Sequence, residues 1–150
     1  MDGREYFFVT KEKFEGMIAE DQLIEYAQYV NNYYGTPKDY VFRQMEEGKD
    51  VILEIEVQGA LIVKEKRPDA ILVFIAPPSF EILESRLRGR GTEKDEVVAM
   101  RLEKARGECA HMDDYDYIVV NDLLDDSINN LASIIRAARC RSTNVDLRLV

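Results

Sequence analysis

The chain is 150 residues long, which fits one compact domain, and its 46% hydrophobic and 33% charged residues are typical of a globular protein. Its net charge of −9 argues against a nucleic-acid polymer as partner, because neutralising phosphates requires a basic surface. No apolar run approaches the roughly 18 residues of a membrane span, no signal peptide opens the chain, and the two cysteines fit no metal spacing, so we expect a cytoplasmic protein with no membrane partner.

The first 50 residues combine short aromatic strands with helices. Local patterns predict, in order, a strand at 5–9, a helix capped by Thr10, a strand at 22–30, a turn at Asn31 and Asn32, and a helix with Thr36 as its cap, Pro37 at its first position and Gly48 at its end. We interpret this region as a small mixed α+β lobe.

From residue 51 onward, strands and helices alternate, which indicates a parallel sheet with helices on its faces. The predicted elements are a strand at 51–57, a helix at 59–69, a strand at 70–78 buried on both faces, a helix from Ser79 to 89–91, a helix opened by Thr92 and Asp95, a strand at 115–122 and a helix at about 125–139. The helix opened by Thr92 and Asp95 has an apolar stripe of Val98, Leu102, Ala105, Cys109 and Met112. In the helix at about 125–139, the residues predicted to face inward are Ile128, Leu131, Ile135 and Ala138.

Two acidic residues follow each other at a spacing of two in the segment VILEIEV. Glu54 and Glu56 point to the same side of a strand, because side chains alternate. Ligands bind at the carboxyl ends of parallel strands. The pair could hold the water shell of a metal or a base edge, and the alternative is a polar strand face turned to solvent.

Five of the twelve arginines lie between residues 86 and 106. Arg86 and Arg90 share one helix face, and Arg101 lies beside the apolar stripe of the next helix. Planar guanidinium groups suit phosphate oxygens and stabilise the charge of a phosphoryl transition state. The alternative is a solvated basic face that pairs with neighbouring acids.

Hydroxyl groups are concentrated in the first 40 residues, which hold six of the eight tyrosines. Tyr6, Tyr33 and Tyr34 are candidates to donate to a phosphate, although half-buried strand aromatics have the same pattern. Glu25 lies mid-strand among apolar residues, where a carboxylate could accept two parallel N–H bonds from a guanine edge.

His111 and Asn121 are two further polar residues that could belong to a site. His111 has no serine or acid at triad spacing, so we expect a surface histidine. Asn121 ends a predicted strand, where it contacts a nucleobase or starts a turn.

Five stretches taken together resemble the guanylate kinase family, the ATP:GMP phosphotransferases of nucleotide metabolism. They are DGREYFFV, IEYAQYVNNYYGTP, DVILEIEVQGA, FIAPPSFEILESRLRGRGTEKDEVVAMRL and YDYIVVND, in the family's order and nearly its spacing over residues 2 to about 139. Each stretch alone is weakly specific, but their combination is highly specific and looks like the bacterial branch.

The resemblance implies a GMP site on the amino-terminal side of the chain. Tyr6 and Tyr34 match positions that bind the GMP phosphate, and Glu25 and Thr36 match positions that recognise guanine. Glu56 matches the acidic segment that lines the same site.

The resemblance also implies an ATP side. Glu54 lies nearer the metal and the phosphates, and the family uses magnesium with ATP. Arg86, Arg90 and Arg101 match the lid and catalytic arginines, and Asn121 matches a residue near the adenine. We expect one guanylate-kinase-like domain, divided into a GMP-binding lobe (1–50), a core (51–85 and 113–141), a lid (86–112) and a tail (142–150).

One part of the family pattern is absent from these 150 residues, which contain no GxxxxGK[ST] run. The implied fold is therefore α/β, a P-loop-kinase-like parallel core missing its first strand and phosphate loop. Because that loop cradles the transferring phosphates, we expect impaired or no catalysis by this chain alone and doubt its magnesium binding. Without its first strand, the parallel sheet would have a gap. We therefore expect a repacked sheet, a homodimer that exchanges a strand, or a second polypeptide that supplies the missing strand.

The alternative to an enzyme fragment is a non-catalytic binding module. Guanylate-kinase-like domains of scaffold proteins bind phosphorylated peptides through the former GMP pocket. The absent phosphate loop favours this interpretation, and the intact RGRGTEKDEVVAMRL segment speaks against it.

Overall fold

The computed structural model describes residues 6–29, 32–89 and 94–144, in two compact units, Met1–Ala70 and Ile71–Val150. The first unit contains α1 (Lys11–Ala19), β1 (Leu23–Tyr29), β2 (Asn32–Pro37), α2 (Lys38–Glu46) and α3 (Val57–Lys66). The second contains β3 (Val73–Ala76), α4 (Phe80–Gly89), α5 (Asp95–Cys109), β4 (Tyr117–Val120) and α6 (Leu124–Arg139). Among the helices of the described ranges, none is both long and apolar enough to cross a membrane.

The first unit is built on an antiparallel hairpin of β1 and β2, against which α3 packs. A bulge between Leu23 and Glu25 shifts the register, so that Glu25 lies opposite Thr36. The core consists of Ile24, Val41 and Val63, with Phe42, Val51, Leu53, Ile55 and Ala70 packed against it.

The predicted start of α1 is confirmed. The hydroxyl oxygen of Thr10 accepts a hydrogen bond of 3.2 Å from the backbone N–H of Lys13. Phe14 is buried, and its ring stacks on Tyr33 with centroids 5.4 Å apart. Tyr33 thus serves in packing, as the alternative interpretation of the tyrosines expected.

The predicted strand at 51–57 is wrong in its hydrogen bonding but right in its extended form. Residues 51–56 belong to no strand, and α3 already begins at Val57. Partly buried and exposed residues alternate from Val51 to Glu56, as in a strand. A ladder also requires a neighbouring strand, and the described residues form only the pairs β1–β2 and β3–β4.

Residue 5 of the predicted strand at 5–9 lies outside the described residues, and among residues 6–9 only Tyr6 forms a bridge. The side chains of Tyr6, Phe7 and Phe8 are exposed. A strand residue is stabilised by its ladder and by packing on one face, and residues 7–9 have no regular secondary structure to provide a ladder.

The predicted cap at Thr36 is displaced by one residue. Thr36 belongs to β2, Pro37 is the N-cap, and α2 begins at Lys38. The hydroxyl of Thr36 donates to Glu25 instead of capping the helix. Gly48 ends the helix as predicted, with φ of 78° after the C-cap residue. The predicted turn at Asn31 lies outside the described residues.

The second unit contains the predicted parallel pairing. Val73 to Ala76 of β3 lie opposite Tyr117 to Val120 of β4, α6 contacts β4, and α4 contacts α5. The helix start at Ser79 is confirmed, because its hydroxyl accepts from the N–H of Ile82. Thr92 lies outside the described residues, and Lys94 is the N-cap of α5.

Burial of β3 on both faces is not observed. Ile75 is 49% exposed, and within β4 only Val119 is buried. A sheet of two strands has no central strand, so each of its strands lies at an edge. In α6, Ile128 is also exposed, while Ser127 is buried and donates to the carbonyl oxygens of Val120 and Leu123.

Candidate functional site

The hairpin of the first unit carries a buried carboxylate, Glu25, which is 4% exposed. The hydroxyl of Thr36, its cross-strand partner, donates to Oε1 of Glu25 at 2.6 Å. Only Glu25 and Ser127 are buried polar residues in the part of the chain that the structure describes. A buried charge requires hydrogen bonds, and this pair supplies one while Oε1 and Oε2 retain further acceptor capacity.

Burial raises the pKa of the Glu25 carboxyl above its ordinary value. Hydrogen bonds from the side chain and backbone of Thr36 act in the opposite direction. Removing water from a carboxylate disfavours the charged form, so Glu25 binds its proton more tightly than an exposed glutamate. A ligand that offers N–H donors would replace the lost water and favour the anion.

Two glycines lie close to Glu25 from different elements. A methyl group on Gly35 would lie 2.9 Å from the main-chain oxygen of Glu25, and one on Gly59 would lie 2.6 Å from Oε2. A side chain at either glycine would require a neighbour to move, which is the backbone at Gly35 and the Glu25 carboxylate at Gly59. Gly35 therefore lies against the backbone of Glu25 and Gly59 against its carboxylate.

Tyr34 lies two residues before Thr36 in β2, so the two side chains extend from the same face of the strand. Tyr34 is 47% exposed. The hairpin thus places Glu25, Tyr34 and Thr36 near one another, whereas Tyr33 points to the opposite face and packs on Phe14.

The acidic pair lies on the exposed side of the extended segment 51–56. Glu54 and Glu56 are exposed, while Leu53 and Ile55 between them pack against the core of the first unit. Tyr6 is also exposed in this unit. These three predicted site residues are accessible to a ligand.

Sequence reasoning missed an ionic network at Asp21. Asp21 has a φ of 51° and accepts hydrogen bonds from Lys38 and from Lys66, the latter at 2.8 Å. Lys66 also donates to the main-chain oxygen of Leu23 at 3.0 Å. The lysines lower the pKa of Asp21 to about 2. The network joins the start of β1 to the ends of two helices, and separations of 17 and 45 residues give no local signal.

In the second unit, the guanidinium of Arg86 donates to the carbonyl oxygens of Asn121 at 2.6 Å and Asp122 at 3.2 Å. Arg86 and Asn121 line a cavity of about 210 Å³ at the carboxyl ends of β3 and β4, together with Ile75, Ala76, Pro77, Leu83 and Leu87. An apolar cleft with a few polar groups at this end of a parallel sheet is a usual ligand site.

The other arginines of the cluster have diverse surroundings. Arg88 pairs with Glu84 and Asp95, and Arg106 lies over the ring of Phe80 at 4.4 Å. Arg88 thus pairs with neighbouring acids, as the alternative interpretation of the basic face expects, whereas Arg106 packs on an aromatic ring. Arg101 is exposed on α5, and Arg90 lies outside the described residues. As expected, His111 is exposed, and its ring contacts Asp114 at 3.0 Å.

The described ranges contain no group of three or more His, Cys, Asp or Glu side chains that would hold a metal ion by itself. Magnesium keeps several waters and is bound by one or two carboxylates together with substrate phosphates. The exposed pair Glu54 and Glu56 fits that weaker requirement, so magnesium would enter with a nucleotide.

Comparisons with known proteins agree on one family. The family model described as guanylate kinase matches residues 1–138. A guanylate kinase of Lactococcus lactis is 53% identical over 150 residues, which are 100% of this chain and 73% of that protein. One of Oceanobacillus iheyensis is 50% identical over 97% of this chain and 70% of its own length.

The fold is similar to that of a solved enzyme. The crystal structure of guanylate kinase from Anaplasma phagocytophilum superposes with a TM-score of 0.78 at 28% identity. The match covers 96% of this chain and 70% of the solved chain.

Proposed function

The chain belongs to the guanylate kinase family, and from that premise we propose that it carries the guanine-recognition site of an ATP:GMP phosphotransferase, which converts GMP and ATP to GDP and ADP. The observation that supports this most directly is the buried, hydrogen-bonded pair of Glu25 and Thr36 on the hairpin. The family supplies the two substrates, GMP and ATP, and a general requirement for magnesium.

Guanine presents two neighbouring donors, N1–H and the N2 amino group, whereas adenine presents an acceptor at N1. A carboxylate only accepts when ionised, so Glu25 suits guanine and disfavours adenine. Thr36 holds one carboxylate oxygen at 2.6 Å and so fixes the plane of the acceptor pair. Glu56 lines the base, and Tyr6 and Tyr34 donate to the GMP phosphate.

The second unit carries the groups for ATP. Arg86, Arg90 and Arg101 neutralise the charge that spreads over the transferring phosphoryl group, which is the main task of a protein in this reaction. Asn121 lines the cavity together with Arg86, and we assign it the contact with the adenine. Magnesium bound with ATP would neutralise phosphate charge, and Glu54 would hold its water shell.

Calorimetric titration of the chain with GMP and with AMP tests the proposal. We expect GMP to bind at least about tenfold more tightly than AMP, because hydrogen bonds to a charged group contribute about 1.5–3 kcal/mol. Glu25→Gln replaces an acceptor by a donor and should abolish this preference. Glu15→Gln, on the exposed surface of α1, is the matched control and should retain it.

Equal affinity for GMP and AMP, or no effect of Glu25→Gln, would contradict the proposal. The cytoplasmic location and the association of two copies remain predictions. Sedimentation at micromolar concentration measures the second of these.

A further inference from the structure

We propose that Gly59 is a positioning residue for guanine recognition. Because Gly59 has no side chain, the Glu25 carboxylate can lie against the first turn of α3, and this position determines the preference for guanine. This inference rests on the proposed function. Gly59 is the third residue of α3 and is buried where this helix packs on β1.

The steric evidence is specific to the carboxylate. A methyl group on Gly59 would lie 2.6 Å from Oε2, 3.3 Å from Cδ and 3.5 Å from Cγ of Glu25. The first distance is far below van der Waals contact, so the carboxylate would have to move. The backbone of Glu25 has little freedom to follow, because Gly35 closely approaches its main-chain oxygen. The side chain would therefore rotate and strain the hydrogen bond that Thr36 donates to Oε1.

Electrostatics favour the observed place. The first turn of an α-helix has backbone N–H groups without intrahelical partners and carries the positive end of the helix dipole. An anion near this turn is stabilised, and a residue without a Cβ allows the closest approach. Moving Oε2 away from Gly59 would weaken this stabilisation as well as turn the acceptor pair.

If the Glu25 carboxylate rotates, we expect the preference for GMP over IMP to decrease before the affinity for GMP is lost. GMP offers two donors to Glu25, whereas IMP lacks the N2 amino group and offers only N1–H. A displaced carboxylate that reaches one donor would therefore bind GMP and IMP more equally. The ratio of the dissociation constants of GMP and IMP therefore reports the position of the carboxylate. General destabilisation of the chain would not change this ratio.

The experiment measures binding of GMP and IMP to the wild-type chain, Gly59→Ala and Gly16→Ala. The control glycine lies in α1, and a methyl group there would have no heavy atom within 4 Å. We expect Gly59→Ala to weaken GMP binding by about tenfold and IMP binding by less. In a Glu25→Gln background, Gly59→Ala should have no further effect on GMP binding, as a double-mutant cycle requires.

Two readouts do not depend on nucleotide. The pKa of the Glu25 carboxyl, followed by NMR, should rise further in Gly59→Ala, because the contacts that stabilise the anion are weakened, and stay unchanged in Gly16→Ala. Should Gly59→Ala fold poorly, the double variant Glu25→Asp/Gly59→Ala should recover stability, because the shorter acid vacates the space of the methyl group.

The outcomes separate the two claims. A wild-type chain without preference for GMP would contradict the proposed function and the guanine preference assigned to Gly59. A wild-type chain that prefers GMP, with an unchanged GMP-to-IMP ratio and unchanged Glu25 titration in Gly59→Ala, would overturn the role of Gly59 alone.

Discussion

Glu25 shows how a single residue gains its properties from distant neighbours. Thr36, which donates a hydrogen bond to its carboxylate from β2, is 11 residues away, and the glycine that makes room for it lies in α3. Burial would cost on the order of several kcal/mol for an uncompensated charge, and the hydrogen bond from Thr36 offsets part of that cost. Asp21 has the opposite environment, exposed and held by two lysines.

The raised pKa of Glu25 predicts a pH-dependent stability. Because the folded chain holds this proton more tightly than the unfolded chain, the stabilisation is present below an unfolded pKa of about 4.3 and is lost as pH rises through the folded pKa. Glu25→Gln has no such group, so its stability relative to the wild type should increase between about pH 4 and pH 7. Urea unfolding at both pH values measures this, and a constant difference would contradict it.

Asp21 predicts the reverse sign. Its folded pKa of about 2 lies below the ordinary value, so its stabilisation is present above that value and is lost as pH falls towards 2. Asparagine tolerates the positive φ at position 21. The Asp21→Asn variant should therefore be less stable than the wild type at neutral pH, and this difference in stability should vanish in acid. With Lys38 and Lys66 both replaced by Met, the same change should lose this pH dependence. Thermal unfolding across the range provides the measurement.

Elements end where backbone conformation changes, and the end of α2 is an example. Gly48 follows the C-cap with φ of 78°, and its N–H donates to the carbonyl oxygen of Met45 at 2.9 Å. The extended segment 51–56 after it packs through alternate side chains on the core of the first unit. This segment keeps strand-like alternation without a ladder, so side-chain packing orders it.

Gly48→Ala should lower the free energy of unfolding by about 1 kcal/mol, because an L-residue is strained at positive φ. Gly107→Ala is the matched control within α5, where a methyl group would meet no heavy atom within 4 Å. That change should stabilise the chain by up to about 1 kcal/mol, since alanine is the better helix former. Urea midpoints measure both effects, and a neutral Gly48→Ala would be inconsistent with the left-handed turn.

For the molecule as a whole, the residues that we propose to bind nucleotides belong to both compact units. The proposed guanine-binding residues lie in the first unit, and the cavity lined by Arg86 and Asn121 lies in the second. The relatives are longer, since this chain spans 70–73% of their length. The 150 residues contain no phosphate-loop motif, although they contain candidate residues for binding both GMP and ATP.

We predict that this 150-residue chain by itself has negligible GMP phosphorylation with ATP. Without the backbone N–H groups and lysine of a phosphate loop, the arginines have no positioned phosphates to act on. A coupled assay for ADP and GDP measures turnover, with the Lactococcus lactis relative as the intact comparison. Turnover near that of the relative would contradict the prediction, whereas GMP binding should persist.

Local signals in the sequence determined the starts of α1 and α4, the extent of β1 to within one residue at each end, and the parallel order of β3 and β4. Caps, periodicity and turn residues act over a few positions, so they can be read from neighbours in the chain. The five matching stretches also identified the family, because motif order is a property of the sequence.

Only the tertiary structure decided what those elements do to one another. The burial of Glu25, the displaced cap at Thr36, the exposure of Ile75 and the network at Asp21 depend on partners far apart in the chain. The missing ladder at 51–56 has the same origin, because a strand needs a second strand beside it. Hydrogen bonding and burial join residues in space, and local patterns in the sequence do not indicate which distant groups will meet.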